Sequence, residues 1–597
     1  MDSRIVTLAP VVAAGLLCAV AGCRMSDRGE PAPFSATPAP QTFEAPAVAD
    51  VPAQGASADA ATDEECGDHI YGCDRWPCTG HAVCDEASPA DGMLQISLGG
   101  AEFIDPSLVH ESAGSLIVQE IFEGLLSFPP GNGPPIPGVA ERWELGEDGR
   151  TWTFHLRHDA RWSNGRVVTA HDFVYGWTRK LLPETASQAA EHHFFIKNAK
   201  AFNEGKITDP EQLGFHAPDD FTLVVELEEP TPFWLEYVQS AHYMPVPREA
   251  VEQWGKDWTR PEHIVTNGPF HMTEWRPRDR MVLKKSETYW NKDAIRLAGA
   301  IIWHSESETD DLRRYEAGQT HMLQASLPAE KISVFMEEKR PDLFIDPYLA
   351  YYYYAFRVDR PPFDNKLVRQ AVDMAIDKER LVRHVTRGMQ VPADGPVPPF
   401  FVQTMGYPKP AGRGFDPQGA RELLAKAGYP NGVDLPKITL IYNTYEIHRL
   451  IAEFVQRSLK ENLGVEVAIE NMEWKSLLKQ LRSGDFQMAR FGWIGGKDPY
   501  TFLNSFRHDS PNNEMGYSNL EVDRLLDASL AERDEPRRLA LMAQAEALIQ
   551  EDTPIAPLYY YTRVYLKKPV LRGVEQELTS VHLMRHMYWG DKPGGTP

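Results

Sequence analysis

The distribution of cysteine is the feature that most restricts how this chain can fold. All six cysteines lie at or before Cys84, in a chain of 597 residues. The large body that follows has no disulfide to hold it and must be stabilised by its hydrophobic core. Because the chain is longer than one core usually supports, two or more domains are expected.

The N-terminus has the pattern of an export signal. Arg4 precedes the apolar run IVTLAPVVAAGLLCAVAGC, which is too short and too rich in small residues to make a good membrane-spanning helix. The run ends in Val-Ala-Gly followed by Cys23, an arrangement similar to the bacterial lipoprotein signal. We predict that residues 1–22 are a signal peptide and that Cys23 is lipidated, with an ordinary signal peptide cut elsewhere as the alternative.

Two segments without a core of their own follow the signal. Residues 23–62 are rich in Ala, Pro and polar residues and show no periodicity, which is typical of a flexible tether. Residues 63–90 contain a cysteine cluster, for which we predict two disulfides with three possible connectivities. Interspersed histidines leave a zinc site as the alternative, although paired C-x-x-C spacing is missing. The disulfide candidates are Cys66, Cys73, Cys78 and Cys84.

Strand and helix patterns mix throughout the remaining chain, and no fixed-period repeat is present. The pattern therefore predicts an α/β class with several lobes. In the segment that starts at Thr169, Asp172 stands three residues later and predicts a capped helix start. Alternation predicts strands in GMLQISLGG, RTWTFHLR, FTLVVELEEP, KITLIYN and VEVAIENME. Helical spacing is found in three segments. They are SLIVQEIFEGLLSF (through Leu125), NKLVRQAVDMAIDKERLVRHVTRG (with Val368, Val372, Ala375 and Ile376 facing inward, and stopping near Gly388) and PRRLALMAQAEALIQED.

Several classes of function are disfavoured. The motifs G-x-S-x-G, H-E-x-x-H and a G-x-G-x-x-G after a strand are missing, so we expect no enzyme, cofactor or metal. The net charge of −24 disfavours nucleic acid and anionic lipid as partners. Gly495-Gly496-Lys497 is no phosphate loop, because Phe491 occupies the first glycine position and Asp498 the hydroxyl position.

Many spaced segments carry a resemblance to a known family. The strongest is PGVAERWELGEDGRTWTFHLRHDARWSNGRVVTAHDFVYGW, and shorter ones include FEGLL, IVTNGPF, YEAG, YYYYAF and PLYYY. The chain resembles the substrate-binding proteins of bacterial oligopeptide ABC transporters, from about Ile96 to the C-terminal region. The resemblance implies a two-lobed periplasmic binding protein of type II fold with an additional third domain.

Domain boundaries also follow from the resemblance. It implies that one lobe takes three separate parts of the chain, with an extra domain and the second lobe between them. Lobe I would comprise residues 91–122, 247–349 and 562–597, the extra domain residues 123–246, and lobe II residues 350–561.

The resemblance also implies the residues of a ligand site. In the family, the segment after Ala-Arg-x-Gly-Trp lines the cleft and binds an extended peptide by its backbone. By matching, the site comprises Arg490, Gly492, Trp493, His448, Trp474 and Tyr561.

The chain departs from the family at the residue that binds the peptide amine. Oligopeptide binders typically carry Trp-x-x-Asp-Tyr, whose Asp pairs with the N-terminal ammonium of the peptide. Here Gly496 takes the place of that Asp, and Lys497 and Asp498 follow with one residue deleted. The amine anchor is therefore lost, moved to Asp498, or replaced by a preference for an anionic or N-blocked ligand.

A second departure concerns two positions at which some relatives carry bridging cysteines. Ala350 and Ile494 occupy these positions, so both cysteines are absent together. This pair fits the matching of the two sequences but does not specify the ligand.

The predicted function is that of a lipid-anchored binding protein of the periplasm or cell envelope, expected to be a monomer. It would capture peptides or peptide-like solutes and deliver them to an ABC permease, touching the membrane only through its anchor. A sensor, or a binder of a sugar or chelate on the same fold, is the alternative, and an exported hydrolase is a further one. The choice between inner and outer membrane stays open.

Overall fold

The computed structural model describes residues 42–43 and 88–590, except residues 306, 324–326, 388, 511, 577 and 580. Cys23, the cysteine cluster at residues 66–84 and nearly all of the predicted tether lie outside the described residues. Within the described part, no helix combines the length and the hydropathy needed to cross a membrane.

Strands are numbered in chain order. They are β1 Thr42–Phe43, β2 Met93–Leu98, β3 Leu126–Ser127, β4 Ile136–Pro137, β5 Ala140–Leu145, β6 Thr151–Leu156, β7 Phe215–Asp219, β8 Thr222–Glu226, β9 Phe270–Arg276, β10 Arg280–Lys285, β11 Gly299–His304, β12 Met322–Leu323, β13 Leu343–Phe356, β14 Val391–Pro392, β15 Ile438–Asn443, β16 Val467–Met472, β17 Met488–Ile494, β18 Ile555–Lys567, β19 Leu571–Arg572 and β20 Tyr588–Trp589.

Helices are numbered in the same way. They are α1 Ser112–Ile121, α2 Ala170–Leu181, α3 Ala199–Asn203, α4 Trp234–Val238, α5 Arg248–Trp254, α6 Glu308–Glu316, α7 Ala329–Glu337, α8 Lys366–Met374, α9 Lys378–Leu381 (continued by a π-turn, Val382–Thr386), α10 Phe400–Met405, α11 Pro417–Lys426, α12 Glu446–Leu463, α13 Trp474–Ser483, α14 Tyr500–Leu503, α15 Leu520–Ala531 and α16 Glu535–Asp552.

Two larger sheets organise the strands. One has the order β1-β5-β6-β8-β7, and the other has the order β16-β15-β17-β13-β18-β12-β2-β11-β10-β9. The five strands predicted from alternation are confirmed as β2, β6, β8, β15 and β16. In β6, for example, Trp152, Phe154 and Leu156 are buried while the residues between them are half-buried, as a pleat with one covered face requires.

Helix starts agreed with the sequence better than helix ends. Thr169 and Asp172 form the predicted capping box at the start of α2. The helix predicted through Leu125 instead ends at Ile121, because the side chain of Asn267 binds both the N–H and the C=O of Glu123 just beyond it. These hydrogen bonds compete with continuation of the helix.

A second predicted helix, from Asn365 towards Gly388, is divided into α8 and α9. The side chain of Asp377 accepts a hydrogen bond from the N–H of Arg380 and so caps a new helix, as Asp does at many N-termini. The four residues expected to face inward do so: Val368, Val372, Ala375 and Ile376 are fully buried.

Two long strands run through the centre of the larger sheet. β13 and β18 are antiparallel neighbours, and their register shifts between Pro347 and Tyr351. The predicted lobe boundaries at 349/350 and 561/562 fall inside these two strands. The boundaries themselves stay predictions.

Two buried carboxylates accept hydrogen bonds from distant parts of the chain. Asp105 accepts hydrogen bonds from Arg179 in α2 at 2.7 and 2.9 Å and from the indole of Trp258 at 2.9 Å. Glu123 accepts hydrogen bonds from Tyr289 at 2.6 Å and from Trp290 at 2.5 Å. A buried carboxylate is unfavourable unless it is hydrogen-bonded in this way. These contacts therefore fix the segments that contain Asp105 and Glu123 against their partners.

Candidate functional site

The predicted site residues gather where three parallel strands end. β15 pairs in parallel with both β16 and β17, so their carboxyl ends meet at one edge of the sheet. Ligands of open α/β sheets bind outside such strand ends. His448 lies in the first turn of α12 after β15, Trp474 follows β16, and Arg490 begins the outer half of β17.

Arg490 lies half-buried among neutral groups. Its guanidinium donates to Asn443 Oδ1 at 3.3 Å and to the Tyr561 hydroxyl at 3.2 Å, and it lies 4.9 Å from the ring centroid of Tyr352. Its Nε atom is buried and has no hydrogen-bond partner among the described residues, and the side chains in the contacts above are all uncharged. A fixed positive charge therefore has unused hydrogen-bonding capacity at this edge of the sheet.

His448 adds no positive charge to this group. Its Nδ1 lies 3.4 Å from the Tyr352 hydroxyl. Burial, and then the charge of Arg490, lower the pKa of His448 to about 3. The imidazole is therefore neutral near neutral pH, and Arg490 is the cation of the group.

The next residues of β17 continue the site along the strand. Gly492 pairs with Tyr352 and Trp493 with Tyr351 of β13. A Cβ atom at Gly492 would lie 3.4 Å from the Tyr561 hydroxyl and 3.5 Å from Arg490 Nη2, so a longer side chain would enter the space beside the guanidinium. Trp493 donates its indole N–H to Thr501 O at 2.8 Å, which fixes the ring against the following loop.

Two neighbouring glycines in this loop have different surroundings. A Cβ atom at Gly495 would lie 2.3 Å from the ring of Phe502, a fully buried side chain. At Gly496 the nearest atom would be Thr501 Cγ2 at 3.5 Å, an ordinary contact. Gly495 is required by packing, whereas Gly496 has room for a side chain.

Asp498 forms a buried ion pair with Arg538. Its Oδ2 lies 2.5 Å from Arg538 Nη2, and both side chains are 4% exposed. Its other oxygen accepts the N–H of Tyr500 at 2.9 Å. Burial, and then the negative charge of Asp498, raise the pKa of Tyr237. Lys497 lies beside this pair, with its ammonium 5.8 Å from the ring centroid of Phe128.

The edge of the site exposes large apolar side chains. Trp474 is 45% exposed, Tyr445 65% and Ile494 66%. Ile494 pairs directly with Ala350 across β17 and β13, so the two positions matched to bridging cysteines are neighbours. Tyr352 and Asn443 were not identified from the sequence, because only the paired strands bring them to Arg490.

Comparisons with known proteins show the family. The family model described as "Bacterial extracellular solute-binding proteins, family 5 Middle" matches residues 134–514. The periplasmic oligopeptide-binding protein OppA of Escherichia coli is 37% identical over 479 residues, which cover 79% of this chain and 87% of that protein. The probable deoxycholate-binding periplasmic protein YgiS of the same organism is 33% identical over 478 residues, which cover 79% of this chain and 88% of that protein.

Solved structures agree in fold. The unliganded open form of the periplasmic murein tripeptide binding protein MppA has a TM-score of 0.78 and 31% identity, covering 84% of this chain and 98% of that one. Haemophilus influenzae OppA in complex with the peptide RPPGFSPFR has a TM-score of 0.64 and 30% identity, covering 84% and 99%. These relatives are binding proteins rather than enzymes, and they have the predicted two-lobed fold. The chain belongs to family 5 of the bacterial extracellular solute-binding proteins.

Proposed function

We propose that this protein captures peptides or peptide-like solutes in a cleft between its lobes and delivers them to an ABC permease outside the cytoplasm. The observation that carries the proposal is the uncompensated guanidinium of Arg490 at the carboxyl ends of β15, β16 and β17. A ligand carboxylate is a group that would use its remaining donors. Backbone groups near Gly492 would pair with an extended ligand.

The ligand's amine is not bound in the family's usual way. Position 496 offers no carboxylate, and Asp498 is committed to Arg538. Of the possibilities raised by the sequence, these contacts favour changed specificity over transfer of the amine anchor to Asp498. Gly496 and Lys497 would then contact a ligand terminus that is N-blocked or otherwise does not need an acid.

Calorimetry with one tripeptide in four forms tests this function. The forms combine a free or acetylated amine with a free or amidated carboxyl group. We expect binding that depends on the carboxylate and hardly changes on acetylation. A strong preference for the free amine would contradict the changed specificity, and no binding of any form would contradict peptide capture.

The variant Gly496→Asp sharpens the same experiment, because position 496 has room for the added side chain. An ammonium–carboxylate hydrogen bond contributes about 1.5–3 kcal/mol. We therefore expect the variant to favour the free amine by about ten-fold or more, while Gly496→Ala should not.

Anchoring and export are part of the proposal. Lipidation at Cys23 would attach the protein to a membrane of the cell envelope, and the residues after it would act as a tether. Cys23→Ala should release the protein from the membrane fraction, and retention there would contradict the anchor. Thiol counting on the unreduced, unfolded protein would test the two disulfides in residues 63–90.

A non-peptide ligand is the second candidate, favoured by one observation. A relative at 33% identity is named a probable deoxycholate-binding protein, and Arg490 could bind any carboxylate. Mass spectrometry of the material that co-purifies with the protein separates the two candidates.

A further inference from the structure

An open cleft that contains two arginines is formed outside the proposed ligand site. Its volume is about 670 Å³, and it is lined by Arg296, Arg572, Tyr588, Trp589 and Gly590. Four of these residues lie in or next to β19 and β20, which make a separate two-stranded sheet. None of them belongs to the proposed ligand site, so peptide capture gives this cationic cleft no role.

The aromatic wall of the cationic cleft is fixed by contacts with other parts of the chain. Trp589 donates its indole N–H to Gly92 O at 3.1 Å and packs at 81° against the ring of His321, with centroids 4.9 Å apart. Tyr588, the preceding residue of β20, pairs with Arg572 of β19. The strand pairing and the indole hydrogen bond therefore hold both aromatic residues in place.

These surroundings position the two guanidinium groups. Arg296 Cζ lies 3.2 Å from the centroid of the Tyr588 ring, a contact that leaves the N–H groups at the edge of the guanidinium available. The side chain of Arg572 crosses Gly590, where a Cβ atom would lie 2.8 Å from Arg572 Cγ and 3.2 Å from its Nε. Glycine at position 590 therefore leaves the space that the Arg572 side chain occupies.

The charge of the lining indicates the chemistry of an occupant. The charged side chains among the described lining residues are both arginines, and the other three supply no carboxylate. Each guanidinium carries five N–H donors, and one guanidinium can already bind both oxygens of a carboxylate. A phosphate monoester has three terminal oxygens and a charge of about −2 at neutral pH. It therefore matches two guanidinium groups better than a carboxylate does.

The place of the cationic cleft in the chain favours a source for this phosphate. Ser88 Oγ donates a hydrogen bond to Gly590 O at 3.2 Å, and Gly92 accepts the indole N–H of Trp589. Residues 88–92 therefore border the cleft, and upstream of them the chain leads to Cys23, the predicted site of lipidation. In an anchored protein the phosphates of lipid headgroups would be present at high effective concentration.

We propose that the cationic cleft binds a phosphate group, either of a lipid headgroup or of a soluble phosphomonoester. Arg296 and Arg572 donate to the phosphate oxygens, and Tyr588 positions Arg296. The whole chain has a net charge of −24, but charges are screened beyond about 8 Å at physiological ionic strength. The attraction is therefore local to the cleft. This contact adds to the predicted lipid anchor and does not depend on peptide capture.

Two binding measurements test the site and distinguish the sources. Both use the full chain with Cys23→Ala, so that no acyl chain contributes. Phosphorus NMR titration measures binding of glycerol 3-phosphate, and co-sedimentation measures binding to phosphatidylcholine vesicles with and without phosphatidic acid. We expect binding of glycerol 3-phosphate, and vesicle binding that requires phosphatidic acid. Binding of glycerol 3-phosphate alone would assign the cleft to a soluble phosphomonoester, and binding of neither probe would overturn the proposal.

Charge-matched variants locate the binding. Arg296→Gln and Arg572→Gln each remove one guanidinium from the cleft and should weaken binding of glycerol 3-phosphate at least about ten-fold. Arg457→Gln, on the exposed face of α12, changes the net charge by the same amount and should bind as the wild type does. Equal weakening by all three variants would mean a general attraction by charge and would overturn the site.

Peptide binding separates this proposal from the proposed function. Arg296→Gln and Arg572→Gln should bind a peptide acid with the affinity of the wild type, because neither residue lies in the proposed ligand site. Loss of peptide binding in these variants would contradict a separate phosphate site. A wild type that binds glycerol 3-phosphate but no peptide would leave the phosphate site standing, and only the proposed function would fail.

Discussion

The segment at residues 490–498 has a charged side chain at each end, and the two differ in whether an opposite charge lies beside them. At one end, Arg490 contacts only neutral side chains among the described residues. At the other end, Asp498 and Arg538 neutralise each other in a buried pair. Buried charges are normally paired, so the pair at residue 498 stabilises the protein, whereas the uncompensated charge at residue 490 is available to a ligand. These contacts indicate a structural role for Asp498 and support the ligand-binding role proposed for Arg490, eight positions earlier.

The largest expected effect comes from breaking the structural pair. Asp498→Ala leaves Arg538 buried without this partner, and loss of one member of a buried pair costs about 3–5 kcal/mol. Urea denaturation should show this loss. The control is Glu521→Ala, which breaks the exposed pair with Arg524 and should change the free energy of unfolding by less than about 1 kcal/mol. Equal effects of the two variants would mean that Asp498 is not structural.

The next effect should appear in affinity rather than stability. Arg490→Met removes the charge proposed to bind a ligand carboxylate, which should weaken binding of a peptide acid by about 10- to 100-fold. The same peptide with an amidated carboxyl group should lose much less. Arg457→Met, on the exposed face of α12, is the control and should bind as the wild type does. A large loss of stability in Arg490→Met would contradict the contrast with Asp498.

The two glycines between these ends provide a finer test. Gly495→Ala places a methyl group against the buried ring of Phe502, and such overpacking costs about 1–3 kcal/mol. Gly496→Ala makes an ordinary contact and should change stability by about 0.5 kcal/mol or less. Urea midpoints of the two variants measure the difference directly. A similar loss in both would show that the loop tolerates no side chain at either position.

The last expected effect is a change in how the stability depends on pH. In the folded protein the pKa of His448 is about 3, whereas in the unfolded chain it is about 6.5. The unfolded state therefore binds more protons between these values, and stability falls as the pH drops from about 6.5 towards 3. One such group contributes a slope of at most about 1.4 kcal/mol per pH unit.

His448→Gln isolates this contribution from those of the other histidines. Unfolding measured between pH 4 and 7 should show a shallower slope in the variant than in the wild type. Identical slopes would indicate that folding does not change the pKa of His448, and would contradict the lowering that burial and Arg490 are expected to cause.

The sequence predicted the features that depend on local pattern. Alternation located β6 and β15, and a three-residue spacing located the start of α2. Ala350 and Ile494, matched to positions at which some relatives carry bridging cysteines, lie opposite each other in β13 and β17, which agrees with that matching. Such features depend on neighbours in the chain, or on a register carried over from relatives, and both can be seen in a sequence.

Other features depend on contacts between distant residues. The break between α8 and α9 arises from a capping residue that also fits a helical pattern. The partner of Asp498 lies 40 residues away, and nothing in either local sequence indicates the pair. The candidate site could therefore be predicted as a set of positions but not as an arrangement of charges.

The position of β18 has a consequence for how the chain folds. In the larger sheet, β18 lies between β13 and β12, although it is made from residues 555–567, near the end of the chain. Its pairing of Ala355 with Ile555 closes a loop of about 200 residues, and such distant pairings form late. During synthesis the two halves of the sheet therefore exist without the strand that joins them, and premature termination before residue 555 would yield two incomplete sheets with exposed edges.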